Sequence, residues 1–503
     1  MNKYIRTASV IGVMALLASC NKYIESNPHD RYQVTALDYL QSESDYRTME
    51  ISVYTPLQWL NQVVPIGEIA SDNAVAGGES ASDVLDLQQI DDFTLTQVNS
   101  TLSGIWQYAY EGVNRANYLL QYKDKNPGGQ TVSFAGKDAL YGEIYFLRAY
   151  YYFTLAKMFG DVPLFTDKRL DQSSTGTLKR IARATVYQQV EADLNSAITV
   201  LPAVQVQQGR ITKYAAQALL GKVFLYQNKY DSAVVPLQNI IGSGAFSLVS
   251  DFASIFLATG ENGPESIFEI QYTNTSPYYE WSNQVQGQGN YAIQQCGIRG
   301  LSGSAAMPYA PGWSTNLPTQ DLAAAYSTGD QRKAVTVLDI EAYKTANPSY
   351  GIQYQVAPYK NTGLYDQKYL PRKGETSGQP ELNYLNNYRI IRYADVLLMA
   401  AEALNKSTAP NDATAQSYIN QVRRRAFGDQ LHDVTATGAN LYTAILNERR
   451  LELAMEGDRF FDLVRTGQAA TVLGPNFKAG KHELFPIPDA EIKVSHLTQN
   501  NGY

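Results

Sequence analysis

Cysteine is nearly absent: the 503-residue chain has two, Cys20 and Cys296. Two cysteines make at most one bridge, so no disulfide framework organises the fold. A chain this long buries a sizeable core without one. Histidine is almost as scarce. His29, His432, His482 and His496 are scattered, with no HExxH and no paired-cysteine spacing, so neither a metal nor another cofactor is signalled. No basic block occurs and the formal net charge is −7, which excludes electrostatic nucleic-acid binding as the main function. Apart from a short apolar run at 8–17, no segment approaches membrane-span length.

That run follows Lys3 and Arg6 and leads into Leu17-Ala18-Ser19-Cys20. A basic start, an apolar run and small residues before a cysteine resemble a bacterial lipoprotein signal with its lipobox. The resemblance implies a signal peptide at 1–19, cleavage before Cys20 and acylation of Cys20, palmitate included. Residues 20–38 are then a polar tether. Cys296 is left alone, either a buried small residue or a thiol lining a site. Among the plentiful residues, the 37 tyrosines stand out. Each offers a flat apolar face and a hydroxyl.

Helical periodicity dominates both ends of the chain. The stretch 387–406 (NYRIIRYADVLLMAAEALNK) is apolar nearly all round and predicts a buried helix with cover on several sides. Helices are also predicted over 42–60, bent or split at Pro56, and over 102–122, 139–159, 184–200, 212–227, 232–241, 413–426 and 441–455. Leu220, Gly221, Phe224, Tyr230, Ala233, Leu237 and Ile240 have the spacing of a tetratricopeptide repeat, with Gly221 and Ala233 small where two helices cross. Pro236 departs from that pattern and predicts a bend or a first-turn position. Residues 71–80 (SDNAVAGGES) predict a loop. Over 250–385 the periodicity fades into Gly, Pro, Asn, Gln and Tyr. That length without structure is improbable in a compact domain, so small strands and short helices resting on a helical scaffold are expected there.

Several stretches together resemble the SusD/RagB family of bacterial surface lipoproteins: LRAYYYFTLAKMFGDVPLF (147–165), IRYADVLLMAAEALN (391–405), INQVRRRA (419–426), NERRLELAMEGDRFFDLVRTG (447–467), FPIP (485–488) and QNNGY (499–503). The resemblance implies a mainly helical fold with four tetratricopeptide-like helix pairs packed against an irregular, loop-rich ligand-binding half. One compact unit would comprise an N-terminal helical part (39–249), a variable part (250–385) and a C-terminal helical part (386–503). Family members are lipid-anchored in the outer membrane and face the exterior. They cap a SusC-like TonB-dependent transporter, capture oligosaccharides or, less often, peptides, and are not enzymes.

The charged motif residues predict architecture. Glu448, Glu452 and Glu456 recur on one helical face, a spacing that offers paired carboxylates to a hydrolase, but arginines lie among them, so a structural ion-pair network is expected. Other catalytic signatures fail: 474–482 (GPNFKAGKH) lacks phosphate-loop spacing, and no Gly-x-Ser-x-Gly elbow occurs. Sugar binding needs aromatic faces for C–H surfaces and polar side chains for hydroxyls. The variable half supplies Tyr278, Tyr279, Glu280, Trp281, Asn283, Gln284, Gln286, Gln288, Tyr291, Cys296, Arg299, Tyr309 and Trp313. From these, Trp281, Trp313, Tyr279, Tyr291, Tyr309, Arg299 and Cys296 are the predicted ligand residues. Asp72 and Asn73 join them, because the matching loop of the family contributes to its ligand face. A glycan-binding lipoprotein is the leading reading. A peptide-binding relative is the alternative, and a helical glycoside hydrolase stands behind both.

Overall fold

The computed structural model describes residues 39–170, 175–281, 287–356 and 359–503. Cys20, Asn283, Gln284 and Gln286 lie outside them. The long helices are α1 (Glu43–Trp59), α2 (Ser100–Gln121), α3 (Lys137–Phe159), α4 (Arg183–Val200), α5 (Lys213–Leu225), α6 (Tyr230–Ser243), α7 (Tyr393–Lys406), α8 (Asp412–Phe427) and α9 (Gly438–Glu452). Their starts follow local chemistry. Ser42 and Asp45 form a reciprocal capping box at α1. Asn99, Thr212 and Asn411 accept from the first-turn amides of α2, α5 and α8.

Each long helix packs on the next from α1 to α8, and α9 packs on α7 and α8. This gives four successive pairs, α1/α2 to α7/α8, as expected of a tetratricopeptide-like stack. Two glycines permit close crossings. A Cβ on Gly112 of α2 would fall 2.2 Å from the Tyr151 ring of α3, and one on Gly221 of α5 would fall 2.6 Å from Leu237 of α6. Both prolines in question lie inside continuous helices, Pro56 in α1 and Pro236 in α6. Neither splits its helix, and Pro236 stands beyond the first turn.

The 387–406 stretch departs from its expected form. Residues Tyr388–Arg392 are a strand, β2, antiparallel to β1 (Ser266–Ile270) through a bulged register, and only Tyr393–Lys406 is helical. Aromatic and β-branched residues suit a strand, and the decisive partner, Ser266–Ile270, lies far earlier in the chain. The helix itself is buried all round, as its composition requires.

The irregular part between α6 and β2 contains short helices and small two-stranded pairings, such as Val337–Asp339 with Leu364–Asp366. It has an apolar cluster of its own, drawn from residues 298–370 and including Ile298, Leu317, Leu338, Ile340 and Tyr365. Buried ions fasten this part to the helices. Arg332 reaches Glu448 at 2.6 Å and Glu452 at 3.1 Å, and Lys368 reaches Glu456 at 2.6 Å. Arg392 joins Glu452 at 3.0 Å and Glu456 at 2.7 Å, and also pairs with Glu265. Burial opposes ionisation of Glu452, but Arg425, Arg392 and Arg332 outweigh it and hold the carboxyl below its usual range. The acidic triplet is thus a structural network. Its geometry differs from a single helical face, because α9 ends at Glu452 and Glu456 follows Met455 at positive φ.

Candidate functional site

A cleft of about 530 Å³ opens where the irregular part meets the ends of α1 and α2. Its walls come from segments far apart in the chain. Gln62 follows α1, residues 83–87 lead into a short helix, and Thr101 lies in the first turn of α2. The irregular part contributes 279–281, Tyr291, Gln295, Trp313 and Leu382.

Two indoles dominate one wall. The Trp281 and Trp313 rings lie 5.9 Å apart at 41° to each other. Trp281 is 61 % exposed, whereas most large apolar side chains of the fold are buried. Its Nε1–H donates to Glu381 at 3.2 Å. Trp313 is half-buried and is fixed by its backbone: its amide donates to the Gln294 carbonyl at 2.8 Å, and its carbonyl accepts from Arg299 Nε at 3.2 Å. Tyr279 and Tyr291 form an edge-to-face pair with centroids 5.6 Å apart. Burial, with the neighbouring phenol of Tyr291, pushes the Tyr279 hydroxyl well above its ordinary range, and burial and Tyr108 do the same to Tyr291. Both hydroxyls therefore stay neutral and able to donate at pH 7. Asn383 clamps the Tyr279 backbone, accepting from its amide at 2.8 Å and donating to its carbonyl at 3.0 Å.

The floor is amide. Gln295 Nε2 donates to Gln62 Oε1 at 2.8 Å, and Gln62 Nε2 donates to Asn61 at 3.0 Å. Gln295 Oε1 is buried without a partner among the described residues. A buried acceptor left open beside a cleft is suited to a donor from a ligand or an ordered water. The arrangement offers flat apolar faces beside neutral hydroxyls, an open amide acceptor and carboxylates.

The structure gathers Trp281, Trp313, Tyr279 and Tyr291 on this cleft. Arg299 stands behind it, holding the Trp313 carbonyl and pairing with Asp83 at 2.6 Å and Glu79 at 3.4 Å. The remaining expected residues lie elsewhere. Tyr309 is 6 % exposed in the small apolar cluster, 5.5 Å from the Tyr343 ring, where packing takes its face away from any ligand. Cys296 is 1 % exposed, next in sequence to Gln295 but turned into the core against Ala292 and Asn316. Asp72 is bound by Arg459 at 2.7 Å and Arg450 at 2.9 Å, and fully buried Asn73 lies between Glu68 and Arg450. No residue of the 71–80 loop lines the cleft; the segment after it, Asp83–Leu87, does. Nothing in the local pattern of Gln62, Thr101 or residues 83–87 signals the cleft. Gln288 bonds to the Ser276 carbonyl at 3.2 Å.

A model of the SusD family matches residues 264–482, and a second family model, described as starch-binding and associating with outer membrane, matches 24–225. A SusD-like protein P2 of Formosa agariphila is 29 % identical over 438 residues, covering 83 % of each chain. A solved laminarin-binding SusD-like protein is 35 % identical, with a TM-score of 0.82, covering 92 % of this chain and all of its own. Surface glycan-binding protein A from Bacteroides thetaiotaomicron, solved in complex with laminarihexaose, is 28 % identical with a TM-score of 0.79, covering 91 % of this chain and 99 % of its own.

Proposed function

Because the chain belongs to the SusD family, we propose that it captures oligosaccharide at the cell surface and delivers it to a SusC-like TonB-dependent transporter, without chemical change to the glycan. The observation that carries this reading is the indole pair Trp281–Trp313, set 5.9 Å apart on an open cleft with an amide floor. Indole faces pack on the C–H surfaces of sugar rings, and the phenols, amides and carboxylates around them bond to hydroxyls. The likeness to a laminarin-binding protein and to one holding laminarihexaose makes those glycans the first to test.

Binding without catalysis is supported by the state of the cleft carboxylates. Asp83 is engaged with Arg299. Asp86 accepts from the Ser100 and Thr101 amides at 2.8 and 3.2 Å. Of the lining carboxylates, only Glu280 has no side-chain partner among the described residues. Glycoside hydrolysis ordinarily uses two carboxyls in complementary roles.

Calorimetry of purified protein against a panel of polysaccharides and peptides tests the reading. Trp281→Ala and Trp313→Ala should each weaken glycan binding by about 1–2 kcal/mol, roughly 5- to 30-fold in Kd. Binding of peptides alone overturns it, as does turnover of a polysaccharide. Glycan binding that neither substitution weakens removes this cleft as the site.

A further inference from the structure

Charge around the cleft has one sign. Asp83, Asp86 and Glu280 line it, and among the described residues none that lines it is lysine, arginine or histidine. Glu381 adds a carboxylate beside the Trp281 indole. The cation behind Trp313, Arg299, is taken up by Asp83 and Glu79. Five carboxylates thus face one guanidinium. The same bias is written along the chain. Residues 71–114 hold aspartate or glutamate at seven positions and no basic residue.

We propose that this cleft selects uncharged glycan chains and rejects those carrying carboxylate or sulfate groups, an inference that rests on the glycan reading above. Sugar hydroxyls are donors, and carboxylates accept from them in bonds stronger than those between neutral groups. A uronate or sulfate ester instead brings acceptors and negative charge. Its recognition calls for arginine forks or lysines, and Arg299 has its guanidinium already paired with carboxylates. Repulsion at close range in a partly desolvated cleft is strong, and salt screens it.

The test pairs each neutral polysaccharide on a calorimetric panel, laminarin first, with its own sulfated derivative, and adds polygalacturonate. Wild-type protein should bind the neutral form with little dependence on salt. It should bind the sulfated form at least tenfold more weakly at low salt, with the gap narrowing as salt is raised. Glu280→Lys reverses the charge of an exposed side chain and should reduce the neutral-to-sulfated affinity ratio at low salt by at least threefold. A gap that neither salt nor Glu280→Lys changes reflects blocked hydroxyls and overturns the charge mechanism. Comparable binding of neutral and anionic chains overturns the selectivity while leaving the glycan reading intact. Failure to bind any glycan, neutral or charged, overturns both.

Discussion

At the scale of single residues, Arg299 shows how a predicted ligand residue takes a different part. Its guanidinium is spent on Asp83, Glu79 and the Trp313 carbonyl, which ties the 83–87 turn to the Trp313 loop. Arg299→Ala should weaken glycan binding about as much as loss of one charge-assisted bond, roughly 1.5–3 kcal/mol, by releasing Trp313. Arg299→Lys should recover part of that loss. Calorimetry beside a thermal melt checks it, since a lowered Tm with unchanged Kd would mean that Arg299 only supports the fold. Glu68 makes a second residue-scale prediction. It is fully buried, and burial raises its pKa from 4.5 to about 7 against bonds from Asn73 and Gly457. The folded state therefore holds a proton between pH 4.5 and 7 that the unfolded state releases, and stability falls as pH rises through that window. The loss amounts to up to about 3 kcal/mol. Glu68→Gln should flatten that fall, measured as urea midpoints at pH 5 and pH 7.5. An unchanged slope would assign the pH dependence to other buried carboxyls.

At the scale of elements, helix crossings are set by small residues that the sequence displays openly. Gly221 was legible as such, and the structure places it against Leu237 as the repeat spacing implies. Gly221→Val should cost about 1–3 kcal/mol through overpacking. Leu237→Ala in the same chain should restore part of that loss, a non-additivity that denaturant titration of the single and double variants measures. The Tyr388–Arg392 strand was not legible. Its residues satisfy a helical stripe and a strand pattern equally well, and only pairing with Ser266–Ile270 decides between them. Pro56 predicts a bend or split and Pro236 a bend or first-turn position, yet each sits buried inside a continuous helix. Surrounding packing offsets the hydrogen bond that each proline cannot donate.

At the scale of the whole molecule, buried ion pairs join the C-terminal helices to the irregular part. Arg332 and Lys368 come from that part, and Glu448, Glu452 and Glu456 from α9 and its exit. Breaking one partner of such a network typically costs about 3–5 kcal/mol, because an uncompensated charge stays buried. Arg392, Glu448, Glu452 and Glu456, which lie in two of the stretches that carry the family resemblance, are therefore part of the fastening between the two parts. Attachment to the membrane is a property of the whole molecule as well. No helix among the described residues is long and apolar enough to cross a bilayer, and the proposed anchor is acylated Cys20. Cys20→Ser should move the protein from the membrane fraction to the soluble fraction and abolish labelling by a palmitate analogue. Membrane retention with labelling lost would mean that the transporter complex alone holds it.

The sequence by itself determined the helical stack, the family and the irregular stretch that supplies the indoles. Those properties are written in local periodicity, in small residues at crossings and in tryptophans that fit no helical stripe. It also determined that the charged motif residues are architecture, since opposite charges alternate within apolar helices. Only the tertiary structure decided which of the candidate residues share a cleft. Tyr309 and Cys296 lie in the same stretch as Trp313, but packing turns them into the core. Gln62, Asp83 and Thr101 lie some 180 residues or more before Trp281, and folding brings them to the same cleft. A side chain's orientation and its distant neighbours arise from long-range packing, which no local pattern encodes.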